Sequence, residues 1–213
     1  MHSVRAGLPE QYRVAVDLGA GCGLRQGEIF DLAVDDVDFL GGTIRVVRQV
    51  KIIDSELVFA PPKGGKVRAV PLANTTAALL TQHITRRPPQ EVTLPWKTPD
   101  GPPVAASLLL YSRERKALNR NYFNTFLWKP ALVSAGVIPE RQSGERFEQS
   151  REHGIHALRH YYASVLLDAG ENVKALAEYL GHSDPGFTLR TYTHLMPDSS
   201  DRARRAIDAA LAE

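Results

Sequence analysis

The segment His156-Ala157-Leu158-Arg159-His160 holds three side chains that can act on an anion or a proton. On a helix, residues three and four apart share a face, so His156, Arg159 and His160 would cluster while Leu158 turns to a core. Two histidines at i, i+4 also suggest a metal. The zinc-protease pattern, however, needs a glutamate after the first histidine, and Ala157 stands there. A surface histidine pair beside an arginine stays open for this segment taken alone. In Cys22-Gly23-Leu24-Arg25-Gln26-Gly27-Glu28 an arginine follows a glycine turn at a helix start, where free backbone N–H groups favour anions. Glu28 could pin its guanidinium or cap the helix. Leu180-Gly181-His182-Ser183-Asp184 puts a histidine just past a capping glycine, and Tyr192-Thr193-His194 follows ten residues later. Taken singly, each of these also fits a turn or a packing role.

The elements that would carry them read as follows. Residues 9–22 are apolar at helical spacing, with Tyr12, Val14, Val16 and Leu18, and Glu28 to Leu32 continues as a second short helix. Thr43 to Val50 is β-branched and reads as a strand after Gly41-Gly42. Leu57 to Ala60 and Val67 to Leu72 read as two more strands, joined by Pro61-Pro62-Lys63-Gly64-Gly65-Lys66 as a glycine-rich hairpin tip. Asn74 is a candidate cap for a helix to about Thr85. The proline-rich stretch 88–103 reads as a loop, and Leu108 to Tyr111 as a short strand. A helix from about Asn119 to Ala135 should end at Gly136, and 139–154 as a polar loop. Further helices are expected at 156–169, 172–180, 186–193 and 199–212. In 172–180 the residues Val173, Leu176, Ala177 and Leu180 make one apolar face. The fold class is therefore mainly α with a small antiparallel β-sheet, an α+β domain.

Composition narrows the classes. The chain has 213 residues, 43% hydrophobic and 23% charged, which is the ordinary globular range. No apolar run reaches the roughly 20 residues needed to cross a bilayer, so no membrane partner is expected. The start, MHSVRAGLPE, lacks a secretory apolar stretch. A single cysteine, Cys22, rules out a disulfide within these residues and fits a reducing cytoplasm. The net charge of +2 says little about partners. Within 111–130, though, Arg113, Arg115, Lys116, Arg120 and Lys129 face a single acid, Glu114. That stretch is a candidate DNA-backbone surface, or equally a solvated helix face.

Order along the chain carries more than any single motif. Gly23-Leu24-Arg25-Gln26-Gly27-Glu28 comes first, then Pro62-Lys63 ahead of Val70-Pro71-Leu72. His156 to His160, Leu180-Gly181-His182 and Thr188 to His194 follow. This series resembles the tyrosine recombinase family of the phage-integrase kind, from about residue 9 to 196, and looks closest to integrases of actinobacterial phages and integrative elements. The resemblance implies a site-specific DNA recombinase that works without metal or other cofactor. By it, Tyr192 attacks a phosphodiester to leave a 3′-phosphotyrosine, and Arg25 and Arg159 clamp the phosphate. Lys63 protonates the departing 5′ oxygen, His156 accepts or relays a proton near the nucleophile, and His182 hydrogen-bonds a phosphate oxygen. Glu28 and His160 support them from behind. Lys66 and Arg68 compete with Lys63, depending on register.

The same resemblance divides the chain into a linker remnant (1–8), a catalytic domain (9–198) and a tail helix (199–213). Relatives carry a helical DNA-clamping domain ahead of this one, so the chain reads as an excised domain or a truncated product. The tail places Ala203, Ala206, Ile207, Ala210 and Leu211 on one stripe. Packing on its own domain and docking on another protomer of the same protein, assembled on double-stranded DNA, both stay open for it. The implied setting is the bacterial or phage-infected cytoplasm, at the nucleoid. Other readings also stand: a DNA-binding regulator with unused site residues, a type IB topoisomerase, and a metallohydrolase using the histidines.

Overall fold

The computed structural model describes residues 1–141, 147, 152–192 and 200–211. Its centre is α2 (Val14–Cys22), in which Val14, Ala15, Val16, Leu18, Gly19, Ala20 and Cys22 are all buried. A helix apolar on most of its circumference must be surrounded there, and α7 (His156–Asp168) packs along it, while Asp17 on the remaining side pairs with Arg5. The fit is close, since a Cβ on Gly19 would stand 2.9 Å from the Leu158 side chain. After α2 come α3 (Gln26–Asp31), a ribbon of short strands, and α4 (Asn74–Arg86). The second half adds α5 (Arg120–Phe123), a π-helical turn over Asn124–Trp128, α6 (Lys129–Ser134), α7, α8 (Val173–Leu180) and α9 (Pro185–Tyr192). The last helix is α10 (Ser200–Leu211).

The mainly helical α+β expectation holds, and glycines end the helices as expected: Gly23, Gly136, Gly170 and Gly181 all have positive φ. At Gly23 (φ 61°) the reason is double, because an added Cβ would also lie 2.5 Å from the Tyr162 ring. Gly23→Ala is therefore expected to cost roughly 2–4 kcal/mol, from left-handed strain plus overpacking. A urea melt would show it; an unchanged midpoint would mean that the turn relaxes freely.

The sheet differs from the expectation. Thr43 to Val50 is not one strand but two, β2 (Thr43–Val46) and β3 (Gln49–Ile53), while Val37–Asp38 forms an edge strand, β1. β4 (Glu56–Ala60) pairs with β3, and β5 (Arg68–Pro71) pairs with β2. Glycine therefore does not mark the true hairpin turn. Asp54 and Ser55 make it, at φ 47° and 69°. Pro61 and Pro62 lack the N–H that a ladder needs, so the pairing stops. The pairs Val46↔Arg68 and Gln49↔Ala60 leave residues 47–48 facing the longer run 61–67. Lys63 thus rides an excursion from one strand rather than a hairpin tip.

Proline also hid a strand pair. The expected loop at 88–103 contains β6 (Gln90–Pro95), antiparallel to β7 (Pro103–Leu108), with Pro95 opposite Pro103 at the end of the ladder, where a missing N–H costs nothing. Of the strand expected at Leu108 to Tyr111, only Leu108 belongs to β7. Asn74 is the first residue of α4, and Ala73 is its N-cap. The long helix expected from Asn119 is broken by the π turn ahead of Pro130, whose ring and missing N–H disturb the regular ladder. Residues 1–8, expected as a linker remnant, form α1 (His2–Gly7) and bury Val4 and Leu8 in the core.

Candidate active site

Helix ends build the site. Helix α2 stops at Gly23, so Arg25 becomes the extended N-cap of α3, and its backbone N–H donates to Glu28 Oε2 at 2.8 Å. The Arg25 side chain gives Nη1 to Glu28 Oε1 (3.0 Å) and Nη2 to the Gly181 carbonyl (3.3 Å). Arg159, on α7, is 1% exposed. Its Nη1 donates to the Gly23 carbonyl at 2.7 Å, and its Nη2 to the Leu180 carbonyl and to His182 Nε2 (3.1 Å). Two helix C-termini, of α2 and α8, thus hold this buried cation by their free carbonyls, where the helix dipole is negative.

An arginine can only donate, so His182 Nε2 accepts and carries no proton in this arrangement. Its Nδ1–H then donates to Thr188 Oγ1 at 2.7 Å, from a threonine wholly buried on α9. The Phe187 ring meets the other side of the imidazole edge-on, with centroids 4.9 Å apart. His156 is separate, at the start of α7. An open cleft of about 350 Å³ is lined by Arg25, Lys63, Lys66, His156, Arg159 and His182, with Phe187 at its wall.

Tyr192 does not line that cleft. It is 3% exposed, and its hydroxyl lies 2.9 Å from His160 Nδ1. His160 in turn meets His156 edge-on at 4.9 Å, so three rings run from the cleft wall to the phenol. Burial pushes the Tyr192 phenol above its usual range, with Arg159 working against it. Burial and then Arg159 push His160 below the usual histidine value. A neutral Nδ1 there can accept the phenol hydrogen. The direct partner of Tyr192 is thus His160, with His156 one ring further on.

Of the expected site residues, the structure gathers Arg25, Lys63, His156, Arg159 and His182 on one cleft, with Glu28 and His160 behind it. It does not bring Arg113, Arg115, Lys116, Arg120 or Lys129 to that lining. Arg113, Arg115 and Lys116 lie on an exposed turn closed by Ser112 N–H to the Lys116 carbonyl, not on a helix face. Lys129 sits over the Phe147 ring, 5.6 Å from its centroid. Thr193 and His194 lie outside the described residues. Among the described residues, no group of three or more His, Cys, Asp or Glu side chains is placed to hold a metal ion, and no helix is long and apolar enough to cross a membrane.

The sequence match to the phage integrase family runs over residues 1–198. The chain belongs to the phage integrase family. It is 29% identical to a tyrosine recombinase XerC-like protein of Caldanaerobacter subterraneus, over 87% of this chain and 46% of that one. It is 30% identical to tyrosine recombinase XerD of Staphylococcus epidermidis, over 86% and 50%. It thus spans about half the length of the curated relatives it matches. Its fold is that of the Tn1549 transposon integrase, seen in complex with circular intermediate DNA (TM-score 0.70, 21% identity, 98% of this chain and 64% of that one). It also matches the catalytic domain of bacteriophage HP1 integrase (TM-score 0.60, 19% identity, 100% and 94%).

In this integrase-family domain the charge state of the histidines bears on pH. Burial, then Arg159, push His182 down to about 4. Burial, Arg159 and His160 do the same for His156, to about 4. Both rings are neutral at pH 7 when folded. Once unfolded they protonate near 6.5, so the unfolded chain takes up protons first as pH falls. Stability should be full above pH about 6.5, decline as pH drops towards 4, and level off below that. Urea midpoints across that range test it, with His156→Gln/His182→Gln expected to flatten the decline. An equally steep decline in the double variant would place the effect in other groups.

The sequence offered Arg68 only as a competitor of Lys63 and Thr188 only as part of the last motif, and it revealed neither the Glu28 partner of the first nor the His182 partner of the second. A signal existed for the first. In Arg68-Ala69-Val70-Pro71 the strand period puts Arg68 on the same inward face as Val70, and a buried arginine needs partners.

Proposed function

We propose that this chain is the catalytic domain of a site-specific DNA recombinase, cutting and rejoining DNA through a 3′-phosphotyrosine on Tyr192. The observation that carries the reading is the convergence of two guanidiniums, two neutral imidazoles and two lysines on one cleft, with a buried phenol hydrogen-bonded to a third imidazole beside it.

Attack on phosphorus gathers negative charge on the non-bridging oxygens, and planar guanidiniums match those oxygens through paired hydrogen bonds. Arg25 and Arg159 supply that clamp. The Tyr192 proton passes to His160 and is shared towards His156, while the phenolate oxygen bonds to the 3′ phosphate. A phosphate in the cleft adds negative charge beside His182, so that its Nε2 releases Arg159, takes a proton from solvent and donates to a phosphate oxygen. Lys63, with Lys66 beside it, protonates the departing 5′ oxygen. Rejoining runs the same steps backwards from a 5′ hydroxyl. The exposed basic residues of 113–120 lie along the DNA backbone.

The tail fits an assembly of several copies on DNA. Ile207 and Leu211 of α10 are 59% and 80% exposed. In this reading that stripe docks on a neighbouring copy, and the protein works on double-stranded DNA in the cytoplasm, at the nucleoid.

The test is capture. Incubated with a pool of nicked duplexes of randomised sequence, in excess EDTA, the protein should form a covalent adduct that survives denaturing electrophoresis. The nick lets the short 5′ fragment leave, so the ester is trapped. No adduct under these conditions, or one that needs added metal, would sink the reading.

A further inference from the structure

The geometry points to Arg68 as a positioning residue: it occupies Glu28 so that Arg25 stays turned towards the cleft, and it fixes the end of α8 against both. This deepens the reading of the cleft as a phosphodiester-cutting site and rests on it.

Arg68 is 7% exposed and does not line the cleft. Its Nη1 and Nη2 donate to the two oxygens of Glu28 at 2.9 and 2.6 Å, and its Nε donates to the Tyr179 carbonyl at 2.7 Å. Glu28 therefore accepts four hydrogen bonds, two from Arg68 and two from Arg25, which fills the capacity of a carboxylate. Burial alone would raise its pKa, but the hydrogen bonds and charge of Arg68, helped by Arg25, hold the carboxyl below its usual range. Glu28 is thus a fixed anion, and its paired fork is spent on Arg68. Arg25 gives it a single side-chain donor and gives one more to the Gly181 carbonyl, which leaves the rest of its fork for a phosphate.

A second feature points the same way. The carbonyls of Tyr179, Leu180 and Gly181 are consecutive at the end of α8, and each takes a different guanidinium: Arg68, Arg159 and Arg25. Left-handed Gly181 ends the helix and leaves these carbonyls free. An added Cβ at Gly181 would lie 3.0–3.2 Å from the Arg68 side chain, so the guanidinium rests on that glycine. Arg68 thus joins three segments: the Arg25 turn, the strand that follows the Lys63 excursion, and the helix end that leads into His182. If it is lost, Glu28 is half-unpaired and draws the Arg25 fork onto itself, in competition with the phosphate.

The test is a double-mutant cycle on covalent adduct formation, measured in a single turnover at saturating duplex, using a nicked duplex that the wild-type protein has captured. Arg68→Lys keeps a charge beside Glu28 but has one nitrogen for three acceptors. It should slow the step roughly tenfold or more, since small misplacements of a clamp are costly, with DNA affinity unchanged. Because Arg68 acts through Arg25, the pair Arg25→Lys/Arg68→Lys should be no slower than Arg25→Lys alone. A rate equal to wild type in Arg68→Lys, or a double variant slower by the product of the two effects, would overturn the proposal. If Arg68→Lys fails to melt as a folded protein, Arg68→Gln takes its place in the cycle with the same expected outcome, since its amide still donates to Glu28 but cannot occupy both carboxylate oxygens. Absence of the adduct in wild-type protein would instead refute the recombinase reading, and Arg68's role with it.

Discussion

Tyr192→Phe is expected to eliminate the covalent DNA adduct and to leave DNA affinity within about twofold, since phosphate grip comes from basic side chains and backbone N–H groups. The hydroxyl is the only part of the ring with a polar contact described, the 2.9 Å bond to His160 Nδ1, and the ring itself is buried against the core. Phenylalanine keeps that packing and removes only the oxygen that would bond to phosphorus. The fold should lose about 1 kcal/mol, the usual value of one hydrogen bond. Denaturing electrophoresis reads the adduct, and a native gel shift reads the affinity. A surviving adduct in the variant would move the nucleophile elsewhere, with the exposed Tyr161 the next to examine.

Arg159→Lys should be nearly as damaging to cleavage, by about 10²–10³-fold, the range seen when one donor to a developing oxyanion is removed. Two causes act together. A lysine has one nitrogen where Arg159 serves the Gly23 and Leu180 carbonyls and His182 at once. A lysine is also easily neutralised. Burial, then neighbouring Arg25, already pull Arg159 down to about 9, and an ammonium starting lower at the same spot would give up its proton near neutral pH. The step can be followed by single-turnover adduct formation at several pH values. Near-normal cleavage in a folded Arg159→Lys protein would assign the residue to packing alone.

Arg25, His156, Arg159 and His182 were legible because each stands beside a local backbone signal. Gly23 and Gly181 announce helix ends, and i, i+3 spacing on α7 puts His156 and Arg159 on one face. Arg68 was opaque for the opposite reason: its partners Glu28 and Tyr179 are 40 and 111 residues away in sequence. The sheet misled where turn chemistry departed from habit. Asp54-Ser55 turns the ribbon without glycine, and Pro95 and Pro103 sit opposite each other at a ladder end rather than in a loop. Basic residues in 111–130 were legible as charge but not as place. A turn with Arg115 at φ 60°, followed by a helix with a π turn, aims them differently from a common helix face.

The excursion at 61–67 separates two properties that are joined elsewhere in the molecule. Its glycines Gly64 and Gly65 have open space where a side chain would be, and Lys63 contributes nothing to the ladder that Arg68 resumes. Chain of this kind opens at little free-energy cost and tolerates changes in length. Lineages and engineers are therefore free to retune the reach of Lys63 by insertion or deletion while thermal stability stays put. The arginines allow no such freedom, because the bonds that aim them also hold α2, α3, α7 and α8 together. Random mutagenesis screened for activity at high temperature should accordingly yield its survivors in 61–67 around an unchanged Lys63, and almost none at Arg25, Arg68 or Arg159.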